Sequence, residues 1–441
     1  MRNTFGSLIL IISLFLAACS VHKETVGYGS GWVDKELRKL DSFDDHQWGF
    51  GLYSATQQKW LYRRNSDQYF TPASNTKILT LYTALVALGE TTSALRYIEA
   101  GDTLIFWGTG DPSLMYHVPD SNRVVEFLEG HPAEVIKYAP LSPVVKFGPG
   151  WAWDDFGFSY QVERSTLPVY GNRLTFTKLA LELDGEVTPN YFKDYVVEDQ
   201  AITSFTDRLA EGNAFSINTS LIDELPFERT IPFVVSDYDI AAILSELTGR
   251  EINLDYDFVH PKSTMAVSGT PTDTLYRMMM QESDNFIAEQ LVIQVADALN
   301  IELGVDSVIQ MMQTGEFEDA PQKFQWYDGS GLSRYNLFTP ESLVWLLGKL
   351  KDEYGLDYLK DIFPAGGVSG TIRDFYSNPG SPPHLYAKTG TLKNKHCLSG
   401  YLLTSSGDVL IFSMMHGNFI GSSGKVKRDM EKLFRAIYEK Y

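Results

Sequence analysis

The chain changes character twice along its length, and that interruption limits its possible folds more than any other feature. Between residues 95 and 261 the sequence breaks into short β-rich segments punctuated by Gly, Pro and Asn, as in GDTLIFWGTGDPSL and VYGNRLTFT. On either side, apolar residues recur at helical spacing. Charge changes at the same places. Residues 95–261 hold 27 acidic and 11 basic side chains, so −16 of the chain's −19 lies there. Such an asymmetry marks a separate module. It also excludes nucleic acid as a partner, because neutralising phosphates needs clustered Lys and Arg. The expected fold is α/β (α+β): one domain made from 36–94 and 262–441, split by an inserted β-rich acidic region at 95–261.

Local signals fill in the split domain. Residues 47–70 alternate apolar and polar about Gln57-Gln58 and predict a hairpin. Residues 74–89 predict a helix with Ser74 at its mouth. Residues 272–299 are helical in pattern, with Ser283-Asp284-Asn285 midway. Thr339-Pro340-Glu341 opens a further helix, Thr as N-cap and Pro in the first turn. Residues 385–391 and 397–417 read as strands, the second run turning at 405–408. Residues 425–441 read as a closing amphipathic helix.

The N-terminus reads as an address rather than as part of the fold. Arg2 precedes an apolar stretch at 8–17 (LILIISLFLA), which is short for a membrane span. It ends in Leu16-Ala17-Ala18-Cys19, which resembles a bacterial lipobox. The resemblance implies a signal peptide at 1–18, cleavage before Cys19, lipidation of its thiol, and a tether over 19–35. A plain secretory signal is the alternative. Ser20 after Cys19 leans toward the outer membrane. Two cysteines exclude a disulfide scaffold and a cysteine-based zinc site. Cys397, in an apolar run, reads as a buried core thiol.

Three short motifs carry chemistry. In Ser74-Asn75-Thr76-Lys77, positions i and i+3 share a helix face, so the amine can reach the hydroxyl. A serine is a poor nucleophile until a base takes its proton, and a lysine is a base only when its ammonium is destabilised. Alone the motif means little, since Ser422-Ser423-Gly424-Lys425 also fits it. Ser283-Asp284-Asn285 offers a hydroxyl that relays protons and an amide that donates and accepts. It too is loose, as Ser216-Ile217-Asn218 shows. Lys388-Thr389-Gly390 adds a second cation, a hydroxyl, and a glycine that permits close backbone approach.

Together and in this order the motifs resemble the active-site set of penicillin-binding proteins and serine β-lactamases. Further segments narrow the match: Gly108-Thr109-Gly110-Asp111-Pro112, Trp151-Ala152-Trp153-Asp154-Asp155, Tyr170-Gly171-Asn172, and Asp328-Gly329-Ser330-Gly331-Leu332-Ser333-Arg334. These resemble the D-alanyl-D-alanine carboxypeptidase/endopeptidase family of penicillin-binding protein 4 type (peptidase family S13). That family also carries a large module between its first two motifs.

The resemblance implies a penicillin-binding transpeptidase/β-lactamase-like fold and acyl transfer on peptidoglycan stem peptides, blocked covalently by β-lactams. Ser74 is the implied nucleophile and Lys77 its base. Lys388 supplies a cationic field, Ser283 passes a proton to the leaving amine, and Asn285 bonds the substrate backbone. The oxyanion would sit between the N–H groups of Ser74 and Thr391, with Thr389 on the terminal carboxylate and Gly390 allowing approach. Asp155, Tyr160 and Arg334 would read a diaminopimelate side chain through its ammonium, an apolar wall and its carboxylate. No metal or cofactor is implied. Lys393 departs from the neutral side chain expected at its position. A serine β-lactamase is a rival, but compact lactamases lack the insertion. A non-catalytic peptidoglycan-binding lipoprotein is another, but it would be expected to have lost Ser74, Lys77 or Lys388.

Overall fold

A computed structural model describes residues 31–180 and 184–441. The expected signal peptide at 1–18, the expected lipidation site Cys19 and the first part of the expected tether lie outside the described residues. In chain order, helix α1 (Gly31–Leu37) leads to the hairpin β1 (Gln47–Ser54) and β2 (Lys59–Arg64). A 3-10 turn over Ala73–Thr76 runs directly into α2 (Lys77–Ala87). The β-rich region follows with β3 (Thr91–Ala100), β4 (Thr103–Gly108), α3 (Arg123–Gly130) and β5 (Val135–Tyr138). Six short strands come next: β6 (Arg173–Lys178), β7 (Glu186–Thr188), β8 (Val196–Glu198), β9 (Thr206–Arg208), β10 (Phe215–Ile217) and β11 (Phe227–Pro232). Helix α4 (Asp237–Thr248), β12 (Ile252–Leu254) and β13 (Met265–Pro271) complete it. The chain then runs through α5 (Thr272–Gln281), α6 (Asn285–Ala298), α7 (Val305–Thr314), α8 (Pro340–Tyr354) and α9 (Leu356–Ile362). It ends in β14 (Leu385–Leu392), β15 (Lys395–Leu403), β16 (Val409–Gly417) and α10 (Gly424–Lys440).

A five-stranded antiparallel sheet in the order β14-β15-β16-β1-β2 joins the two ends of the chain. Strands β15 and β16 are buried on both faces, which explains their apolar runs, and His396, Ser399, Ser413 and His416 are buried polar residues within them. Successive side chains serve opposite cores. Phe412 and Met414 pack with α10 and α1, whereas Ile411 and Met415 pack with α2, α6 and α8. The buried residues Val426, Met430, Leu433, Phe434 and Ile437 form the apolar stripe of α10. Val33 and Leu37 of α1 add to the same core, so residues 31–35 are a docked helix and the tether reading does not extend over them.

The inserted region has its own core, centred on a sheet in the order β12-β5-β4-β3-β13 and covered by α3 and α4. Strands β3 and β13 take the chain in and out as antiparallel neighbours, with Met265 opposite Tyr97 and Pro271 opposite Thr91. The region grips α6 along one polar stripe. Gln290 Nε2 donates to Gly110 O at 2.9 Å and Ser165 O at 2.8 Å. Gln294 Nε2 donates to Thr109 O at 3.1 Å, and Asp297 accepts from Arg96 Nε at 2.8 Å. Gly110 has φ +87°, and a Cβ there would meet Ile293 Cγ2 at 2.5 Å, so this turn seats on α6 only as glycine.

Candidate active site

Ser74 lies in the 3-10 turn before α2, and Lys77 begins that helix one turn on. Lys77 Nζ is 3.1 Å from Ser74 Oγ. It is also 2.6 Å from Asn285 Oδ1 and 2.6 Å from the carbonyl of Ser330. The orientation of the Asn285 amide is set at its other end, where Nδ2 donates to Tyr160 O at 2.9 Å. A neutral amine has two N–H groups and one lone pair. The carbonyl and the amide oxygen can only accept, so they take the two N–H groups and leave the lone pair facing the Ser74 hydroxyl. Lys77 is fully buried. Burial pushes its ammonium down to about 8, against the opposing pull of Asp328, Asp284 and Glu289.

Ser283 stands in the break between α5 and α6 with φ +60°, a conformation unusual for a residue with a side chain. The break follows from Asp284, whose Oδ1 caps α6 by accepting from Ile287 N at 2.9 Å. Its Oδ2 accepts from the Tyr116 hydroxyl at 2.5 Å, and Arg173 Nη1 stands 3.9 Å from that oxygen. Ser283 Oγ lies 2.8 Å from Lys388 Nζ, which also donates to Thr389 O at 3.0 Å. Burial, and then the neighbouring Lys77, hold the Lys388 ammonium well below its ordinary range.

Strand β14 is pinned to the nucleophile turn. Asn75 Nδ2 donates to Lys388 O at 2.8 Å, and Ser399 Oγ donates to Asn75 Oδ1 at 2.7 Å. A Cβ on Gly390 would stand 2.3 Å from Pro72 O and 3.0 Å from Ser74 N, so only glycine lets the two backbones approach. Opposite Gly390, Cys397 is buried with its thiol 3.5 Å from Thr71 O, and burial pushes that thiol up to about 12. It is a packing residue.

Ser74, Ser283 and Thr391 line two adjoining cavities. One, of about 350 Å³, is bounded by Thr371, Thr389, His396 and Lys427. The other, of about 760 Å³, is bounded by Asp155, Tyr160, Asn285, Arg334 and Lys393. All of the residues singled out from Ser74 to Lys388 therefore meet at one place, with Asp155, Tyr160 and Arg334 on one flank. Burial and then Asp155 raise the Tyr160 phenol to about 12, as a carboxylate beside it should. Gly390 lies behind the cavity wall. The spacing of the motifs did not point to Ser330, Glu289, His396 or Lys427. His396 is buried opposite Thr391, with Nδ1 2.9 Å from Thr391 Oγ1, and burial holds its imidazole down to about 3.

Residues 30–224 and 256–440 match the model of the D-Ala-D-Ala carboxypeptidase 3 (S13) family. The chain belongs to the S13 family. All three motifs of this S13 chain fall inside the matched ranges, and the unmatched stretch between them holds β11, α4 and β12. It is similar to the D-alanyl-D-alanine carboxypeptidase DacB of Haemophilus influenzae, at 32% identity over 149 residues, covering 32% of this chain and 31% of DacB. The match thus spans about a third of that relative's length. The D-alanyl-D-alanine carboxypeptidase of Actinomadura sp. strain R39 is 25% identical over 422 residues, covering 84% of this chain and 77% of that one. Among solved structures, penicillin binding protein 4 (dacB) from Haemophilus influenzae superposes with a TM-score of 0.70 at 21% identity, covering 92% of this chain and 99% of the other. That likeness places this S13 chain in the same fold.

Proposed function

We propose that this protein is a serine D-alanyl-D-alanine peptidase that cleaves peptidoglycan stem peptides through an acyl-enzyme on Ser74 and is inactivated by penicillins. The observation that carries the reading is the placement of Lys77 Nζ 3.1 Å from Ser74 Oγ with two acceptor-only partners at 2.6 Å, so that the lone pair of the neutral amine is left for the hydroxyl. Lys77 takes the hydroxyl proton as Ser74 Oγ bonds to the carbonyl carbon between the two terminal D-alanines. The carbonyl electrons move to oxygen, which the N–H groups of Ser74 and Thr391 receive. One such donor is worth about 3 kcal/mol of barrier. As the C–N bond breaks, Ser283 hands its proton to the leaving amine and is reprotonated from the Lys388 side. Water then splits the ester by the same steps in reverse order, restoring Ser74.

The smaller cavity, with Thr389, Thr371 and Lys427, suits the anionic leaving side of the substrate. The larger cavity suits the stem. Asp155 meets an ammonium there, Tyr160 supplies the wall, and Arg334 can take a carboxylate bidentately. A free D-alanine and a cross-bridge amine both leave by the same chemistry, so the reading covers carboxypeptidase and endopeptidase reactions. Lipidation at Cys19 would hold the enzyme on the periplasmic face of a bacterial membrane, the outer one favoured, next to its polymer. Incubation with pentapeptide and cross-linked muropeptides, with products read by mass, tests the activity. The expected result is loss of one D-alanine or cleavage of the bridge, both abolished in Ser74→Ala. Intact muropeptides with the wild-type protein would overturn the reading. Globomycin-sensitive processing and a lipid-sized mass on the N-terminal peptide test the anchor.

A further inference from the structure

Arg164 lies in the inserted region, yet its guanidinium is buried against α6. Nε donates to Glu289 Oε2 at 2.8 Å and Nη2 stands 2.6 Å from the same oxygen, both side chains being 4% exposed. The other oxygen, Glu289 Oε1, accepts from the backbone N–H of Ser330 at 2.7 Å. The carbonyl of that same Ser330 takes the amine of Lys77 at 2.6 Å. A continuous line of contacts thus runs from the insertion to the amine beside the nucleophile. We propose that Arg164 is a positioning residue for Lys77, acting through Glu289 and Ser330, and that the inserted region thereby sets how readily the base is free of its proton. The inference rests on the peptidase reading of Ser74 and Lys77.

The charges around Lys77 give the physical reason. Three carboxylates bear on it, those of Asp328, Asp284 and Glu289, and one cation, Lys388. Each unpaired carboxylate would hold a proton on the amine and stop it acting as a base. The insertion answers all three. Trp151 Nε1 donates to Asp328 Oδ2 at 2.8 Å, beside the loop donors Gly331 N, Ser333 N and Asn336 Nδ2. Tyr116 and Arg173 face Asp284. Arg164 faces Glu289, and its guanidinium also lies 5.1 Å from the centre of the Trp151 ring. Arg164 brings a full charge within hydrogen-bonding distance of its carboxylate, whereas Arg173 stands 3.9 Å from Asp284. Removing Arg164 would leave a buried negative charge behind the base, with Ser330 held by a carboxylate no longer tied to the insertion.

The test uses the full protein and the second-order rate of Ser74 acylation by a fluorescent penicillin, followed from acidic to alkaline pH. In Arg164→Met the rising limb should move to higher pH by about half a unit or more, as an added unpaired negative charge requires. In Glu289→Gln it should move to lower pH. In the double variant, which restores net neutrality, it should return toward the wild-type position, and Arg164→Lys should do so in part. A purely structural role would lower rate or melting temperature while leaving every limb in place, and that result overturns the proposal. If Arg164→Met does not fold, an unmoved limb in Glu289→Gln overturns it alone. A wild-type protein that penicillin leaves unmodified would instead overturn the peptidase reading beneath it.

Discussion

Asn285 Oδ1 stands 2.6 Å from Lys77 Nζ while the opposite end of the same amide holds the carbonyl of Tyr160 at 2.9 Å. One side chain therefore ties the amine to the wall of the larger cavity. Asn285→Asp replaces an uncharged acceptor with a carboxylate and removes the donor to Tyr160. The amine should then keep its proton, and acylation by a labelled penicillin near neutral pH should fall about a hundredfold, within the range of a lost general base. The rising limb of the pH profile should move upward in the same variant.

The wild-type profile has a definite sign. In the proposed mechanism Lys77 acts when neutral, and burial lowers its ammonium to about 8. Acylation should therefore rise with pH through that region, well below the range of an ordinary lysine, and flatten above it. Lys77→Arg keeps a cation but cannot deprotonate, so its rate should lie flat and lower by about a thousandfold. Stopped-flow acylation over a range of buffers measures both.

Gly390 is fixed by sterics. A methyl there would meet Pro72 O at 2.3 Å and Asn75 N at 2.9 Å, backbone atoms with no freedom to yield. Gly390→Ala should push β14 away from the nucleophile turn, destabilise the fold by about 1–3 kcal/mol, and slow acylation more than the stability loss explains. Thermal melting and acylation rates on the same sample separate the two effects.

The proposed reading of the stem at the larger cavity turns on Arg334, which lines it with Asp155 and Lys393. A lysine stem has the ammonium but not the carboxylate of a diaminopimelate stem. Arg334→Ala should therefore lower kcat/KM on diaminopimelate stems about tenfold more than on lysine stems, the scale of one charged hydrogen-bond pair. Equal losses on both would remove Arg334 from the specificity role.

Legibility in the sequence followed contact range. Ser74 and Lys77 are one helical turn apart, so the reach of the amine to the hydroxyl was legible locally, whereas Lys388 and Gly390 joined them only through the resemblance carried by the three motifs together. The stripe on α6 was opaque. Glu289, Gln290, Gln294 and Asp297 look like the wet side of an amphipathic helix, and nothing local reveals that their partners lie far upstream in the insertion. Residues 31–35 failed for a related reason. A helix as short as Gly31–Leu37 has little stability of its own and exists because Val33 and Leu37 find a core built mostly from the far end of the chain. His396 and Lys427 carried no motif, and only the fold brings them to Thr391.

Strands β3 and β13 run side by side where the insertion joins the rest of the chain, Thr91 opposite Pro271. Cutting there would leave two stumps about 5 Å apart, so a few residues of linker could close the gap and yield a miniature enzyme. Such a miniature would keep its nucleophile, its lysines and its sheet. What it would lose is the insertion's hold on its base together with the Asp155 and Tyr160 wall of the larger cavity, and its slowness on a small penicillin would measure how much of the catalyst resides outside the three motifs.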